Sequence, residues 1–134
     1  MESRDFLKKQ IDQVAQALGQ MLNDFLGNSP VRKTEGIKQA FTEKLNLDFQ
    51  ELLLLTPEEL KTHLIDEKKW SDTAIEHLAD LFFSLSNESN SGALNKVYAE
   101  KALALYEYLY KQQKSFSFEW LTKINILKMA VKKG

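Results

Sequence analysis

The chain has no cysteine, only two prolines, five glycines and two histidines in 134 residues. Without cysteine, neither a disulfide framework nor a thiolate metal site can be built from this sequence. Two histidines, His63 and His77, lie fourteen positions apart and give little material for a metal centre. No apolar run approaches the roughly 18 residues that a membrane-spanning helix needs. No glycine-rich phosphate loop and no Gly-x-Ser-x-Gly elbow occurs, and Gly36 and Gly92 are isolated. Scarce prolines and glycines leave long stretches with nothing to interrupt a helix.

What the chain has is helical periodicity. Leu7, Ile11, Val14, Leu18, Met21 and Phe25 recur at alternating intervals of four and three. Phe6, Leu22 and Leu26 widen the seam. A helix this apolar on one side must cover a neighbour or a second copy of itself. Paired along its length, the seam would run about 27 Å at 1.5 Å per residue. It is the candidate self-association surface.

The seam predicts a helix from about Arg4 to Leu26, ended by Gly27-Asn28-Ser29-Pro30. A second helix is expected from about Glu35 to Leu45, capped by Thr34, with Ile37, Ala40, Phe41 and Leu45 inward. Asp48 and Glu51 resemble a capping box before the run Leu52–Leu55, which reads as a short helix because no strand exists to pair with it. Thr56-Pro57-Glu58-Glu59 is the clearest helix start: threonine caps, proline takes the first position and glutamate closes the box. That helix buries Leu60, Leu64 and Ile65 and stops before Trp70.

Ser71-Asp72 starts another helix, striped by Ala74, Ile75, Leu78, Leu81, Phe82 and Leu85. The segment 87–92 is polar and turn-rich. From about Ala93 to Gln113 the polar residues Lys96, Glu100, Glu107 and Lys111 keep to one narrow line, with Lys114 continuing it. A helix apolar over most of its circumference belongs in the middle of a bundle. A tight turn at Ser115–Ser117, with Ser117 as cap, leads to a last helix from Phe118 to about Lys132. Trp120, Ile124, Leu127 and Val131 form its inner face, and Lys128, Lys132 and Lys133 suit its C-terminal dipole.

Charge is unevenly spread. Residues 1–34 carry 5 basic and 4 acidic groups, residues 35–90 carry 5 and 12, and residues 91–134 carry 8 and 3. A basic end suits nucleic acid or an acidic partner. Here it has no arginine and no lysine/aromatic groove, so it reads as a face complementing the acidic middle, within one molecule or between two. Nucleic acid is not an expected partner.

Candidate chemistry is thin. Glu76, His77 and Asp80 share a turn as a partial metal site that lacks a third strong ligand from elsewhere. His63 reads as a border residue. Of the acidic pairs, Glu58/Glu59 is explained by capping, and Asp66/Glu67 ends a short helix in solvent. Catalysis is unsupported. The aromatic cluster of Tyr98, Tyr106, Tyr110, Phe116, Phe118 and Trp120 reads either as core or as a peptide or small-ligand pocket. Tyr106, Tyr110 and Trp120 are the candidate pocket residues.

Ala102-Leu103-Ala104-Leu105-Tyr106 resembles the second helix of a tetratricopeptide repeat, though no Trp-x-x-Leu-Gly precedes it and no proline closes the turn at Lys114. Over most of its length the chain also resembles a family of small, uncharacterised, all-helical bacterial proteins. The motifs are Asp5-Phe6-Leu7-Lys8-Lys9-Gln10-Ile11 with Gln16-Ala17-Leu18, then Thr56-Pro57-Glu58-Glu59-Leu60, then Ser115-Phe116-Ser117-Phe118-Glu119. That resemblance implies no activity and carries over no catalytic residue.

The expectation is one all-α domain, a bundle or tetratricopeptide-like right-handed superhelix of about six to seven helices. Residues 1–46 form an N-terminal helical segment and 47–134 form hairpins. The opening Met1–Asp5 leads into an amphipathic pattern rather than a signal sequence, so the expected location is cytoplasmic. The expected role is a non-enzymatic interaction module, without cofactor, metal or membrane association, whose partner is a protein, a peptide or a second copy. The alternative is a small-ligand binder or enzyme using the aromatic pocket.

Overall fold

Local capping decides where several helices begin. In the computed structural model the described residues are 2–25, 30–88, 92–112 and 118–133, with side chains described at 13–24, 35–87, 92–112 and 118–131. Among them all regular structure is helical: α1 (Glu2–Phe25), α2 (Pro30–Leu45), α3 (Phe49–Leu54), α4 (Pro57–Lys61), α5 (Asp72–Glu88), α6 (Gly92–Gln112) and α7 (Phe118–Lys133). The all-α expectation and its helix number hold. No helix among the described residues is long and apolar enough to cross a membrane.

Asp48 caps α3 by accepting from the Gln50 N–H at 2.9 Å. At α4 the full capping box forms: Thr56 Oγ1 accepts from Glu59 N–H at 3.1 Å, and Glu59 Oε1 accepts from Thr56 N–H at 2.9 Å. Ser71 caps α5 through the Ala74 N–H.

Two boundaries differ from expectation. α2 starts at Pro30, five residues before Glu35, so Thr34 lies inside the helix rather than capping it. Proline has its φ preset for a helix and lacks the N–H that a first turn leaves unpaired, so it begins α2 instead of merely ending α1. α4 runs on into a π-helical stretch, Thr62–Glu67. That stretch closes where Trp70 N–H donates to Leu64 O across Lys69, whose φ of 56° is left-handed. Asn46 (φ 54°) ends α2 by the same device, with Leu47 N–H donating to Phe41 O. The expected caps at Gly27 and Ser117 and the turn at 115–117 lie outside the described residues.

α5 and α6 form the centre. Phe82 stacks on Tyr98, while Asp80, earlier in α5, meets Tyr106, later in α6, so the two helices run antiparallel. α7 packs on α6, α1 packs on α5, and α2 leans on α1. Every residue of the expected α5 stripe is buried. A row of rings, Phe41, Phe49, Phe82 and Tyr98, links α2, α3, α5 and α6 with centroids 4.9, 5.9 and 6.1 Å apart, within the range for favourable aromatic pairs.

The apolar pattern of α6 does not point Lys101 inward, yet it is 4% exposed. Its Nζ donates to Leu55 O at 2.6 Å, using a carbonyl at the end of α3 that no helix bond consumes. Burial pulls its pKa below the ordinary lysine value, and Glu100 partly opposes that. The bond pins the α3–α4 corner to the central helix.

Candidate functional site

Side chains from three helices converge beside the bundle centre. On α5, Glu76 and Asp80 are one turn apart and face the same way. On α7, Trp120 and Lys123 have the matching spacing of three. Trp120 Nε1 donates to Glu76 Oε2 at 2.6 Å, and Lys123 Nζ lies 3.0 Å from Asp80 Oδ1. Both pairs ascend together, so α5 and α7 run parallel. From α6 the Tyr106 hydroxyl donates to the same Asp80 Oδ1. Lys123 also reaches Glu119 Oε1 at 3.1 Å, and its Nζ sits 5.8 Å from the centroid of Phe83 and 5.5 Å from that of Tyr106.

The electrostatics follow from burial and from these partners. Burial first, then the charge and hydrogen bond of Asp80, push the Tyr106 phenol far above its ordinary value. Burial works against the charged form of Lys123, but the hydrogen bonds and charges of Asp80 and Glu119 outweigh it and hold the ammonium above the usual lysine value. A phenol kept neutral and an ammonium kept charged are poor nucleophiles and poor bases near neutral pH. The arrangement instead clamps α5 to both α6 and α7 and fixes charges at known places.

Next to the clamp lies an open cavity of about 470 Å³ between α1, α5 and α7. Leu22 and Asn23 line it from α1, Asp80, Phe83, Ser84 and Asn87 from α5, and Lys123 from α7. Tyr106 and Trp120 are buried, with their polar atoms turned to Asp80 and Glu76; Tyr110 is half-buried. None of these three lines this cavity.

The helix 1 seam has a definite place where it is described. Leu18 and Met21 are fully buried inside the chain, and Val14 packs partly buried against the same core. The side chains of Leu7, Ile11 and Phe25 lie outside the described residues. Gly19 brings α1 close to α5: a Cβ there would stand 3.4 Å from His77 Nε2. His77 therefore faces α1, while Glu76 and Asp80 are engaged by α6 and α7. Among the described residues no three His, Asp or Glu side chains are grouped to hold a metal ion. His63 is half-buried and its Nδ1 meets Glu67 Oε2 at 2.7 Å.

A different apolar surface is exposed. α7 buries Trp120, Ile124 and Leu127, yet Phe118 (76%), Ile126 (47%) and Met129 (64%) stand in solvent. Leu54, at the end of α3, is 84% exposed. Sequence reading missed both this stripe and the clamp. The clamp had a signal: two acids four apart on one helix match a donor pair three apart on another. No family model, curated protein or solved structure matches the chain, so the likeness to tetratricopeptide hairpins and to small helical bacterial proteins rests on the quoted motifs alone.

Proposed function

We propose that the chain is a non-enzymatic helical interaction module whose docking surface is the outer face of α7 and whose partner is a second copy of the chain. The observation that carries this reading is the exposed line Phe118–Ile126–Met129. At 3.6 residues per turn these three fall within about 80° of the helix circumference and span about 16 Å. Scattered exposed apolar residues need no explanation, but an aligned set on one helix face does. In this reading α5, α6 and α7 are tetratricopeptide-like hairpins in a right-handed superhelix.

Charge selects the occupant. The α7 sequence carries four lysines and one glutamate, whereas residues 35–90 hold 12 acidic and 5 basic groups. The exposed Leu54 stands near the exposed acids Glu51 and Glu58 on the α3–α4 corner. An apolar knob among acids complements an apolar stripe among lysines. Made once in each direction, the contact closes a two-fold dimer; made head to tail, it gives an open chain.

Light scattering after size exclusion tests the reading. The wild-type chain should show a multiple of 15.5 kDa, and Met129→Glu should return it to 15.5 kDa with its helical signal intact. A wild-type mass of 15.5 kDa at the highest soluble concentration would reject it.

A further inference from the structure

We infer that the cavity between α1, α5 and α7 binds a small organic cation, an apolar body carrying one primary ammonium group. At about 470 Å³ the cavity is within the size range of small-molecule sites. Leu22 and Phe83 supply apolar wall, and Asn23, Ser84 and Asn87 supply neutral polar groups.

The charged lining decides the sign of the ligand. Asp80 accepts both Tyr106 and Lys123 at its Oδ1, so Oδ2 takes neither bond. Lys123 is already engaged by two carboxylates and lies against two aromatic rings. An incoming anion would have to compete with Asp80 and Glu119 for that ammonium. An incoming ammonium meets Asp80, the one carboxylate on the lining, whose side chain is 27% exposed and whose Oδ2 takes neither bond. Glu76 and Glu119, off the lining but bonded to Trp120 and Lys123, leave the surroundings with more negative than positive charge. A hydrogen bond between charged partners in a partly enclosed site is the stronger kind. The Phe83 ring suits an alkyl or aryl body beside that head group.

This site is separate from the stripe proposed for self-association. None of the stripe residues lines the cavity, and Lys123 projects about 60° around α7 from Ile126 and about 140° from Phe118 at 3.6 residues per turn. Binding and association can therefore fail independently.

The test uses the full chain and three probes that share one body: phenethylamine, 3-phenylpropionate and 2-phenylethanol, with butylamine and hexylamine as a size series. The readout is NMR titration. At least one amine should bind saturably and shift signals of Leu22, Asn23, Phe83 and Asn87. The carboxylate and the alcohol should bind at least tenfold more weakly than phenethylamine. Asp80→Asn, which keeps shape and an acceptor but removes charge, should weaken the amine at least tenfold. Leu22→Trp, which fills the cavity, should abolish binding in a folded chain; Asn87→Trp at the exposed rim serves if the first variant does not fold. Equal or tighter carboxylate binding, amine binding that survives both tryptophans, or no saturable amine in the series would overturn the inference.

Discussion

Two helices near opposite ends of the chain, α1 and α7, carry apolar side chains to opposite destinations. In α1 the seam is cleaner, and where its side chains are described it points inward: Leu18 and Met21 are fully buried. In α7 the inner face is satisfied by Trp120, Ile124 and Leu127, and three further apolar side chains remain outside. Periodicity measures how apolar one side of a helix is; it does not say whose surface covers that side. Residues that break the pattern, because one face is already filled, say more about a partner than residues that obey it.

The largest expected effect separates the two helices directly. Leu18→Asp places a carboxylate in a closed core and should cost at least about 4 kcal/mol, enough to threaten folding. Met129→Asp, on the exposed face, should stay within about 0.5 kcal/mol of wild type when both are unfolded by urea as monomers. Similar losses at the two positions would erase the distinction.

Next in size is the α1–α5 approach. Gly19→Leu drives a side chain toward His77, whose ring already stands 3.4 Å from a Cβ at that position. Prising packed helices apart should cost about 2 kcal/mol. No loss of stability would mean that α1 is docked loosely.

The clamp should show a smaller effect and a pH signature. Tyr106→Phe removes the donor to Asp80 and should cost about 1–2 kcal/mol in urea unfolding. Burial, followed by Asp80, raises the phenol's pKa in the folded chain. The stability linked to that phenol is therefore complete below about pH 10, the unfolded value, and is lost as pH rises above it. In an alkaline absorbance titration the Tyr106 step should coincide with loss of helical signal in wild type and be missing in Tyr106→Phe. A tyrosine that ionises early in a still-folded chain, and disappears in the variant, would contradict the clamp.

The smallest effect has the opposite sign. Lys69 holds a left-handed φ of 56°, which glycine adopts without steric cost. Lys69→Gly should be neutral to stabilising, by up to about 1 kcal/mol. A clear destabilisation would show that the lysine side chain supports the turn after the π-helical stretch.

Elements set by local chemistry were legible in the sequence. The Thr56–Glu59 capping box and the α5 stripe need only neighbours within a few residues, and both formed as expected. Features set by distant partners were not. Lys101 is buried because a carbonyl 46 residues away accepts a hydrogen bond from its ammonium, and no period in α6 announces that. The π-helical stretch depends on Trp70 reaching back over Lys69 to Leu64. Pro30 can end one helix or begin the next, and the sequence does not separate the two; in the fold it begins α2. At the candidate site, the sequence shows the aromatic area of Tyr106 and Trp120 but not their polar partners. Their hydrogen bonds to α5 depend on the parallel placement of α5 and α7, which only the assembled bundle provides.

Thiol reactivity in native buffer tests the central contrast most directly, since the chain contains no cysteine of its own. The Leu18→Cys chain should be protected at every protein concentration. The Met129→Cys chain should react quickly when dilute and become shielded as concentration rises. If position 18 reacts quickly in a folded, dilute chain and is shielded only on concentration, the seam of α1 is the interface and the assignment of the two helices must be reversed.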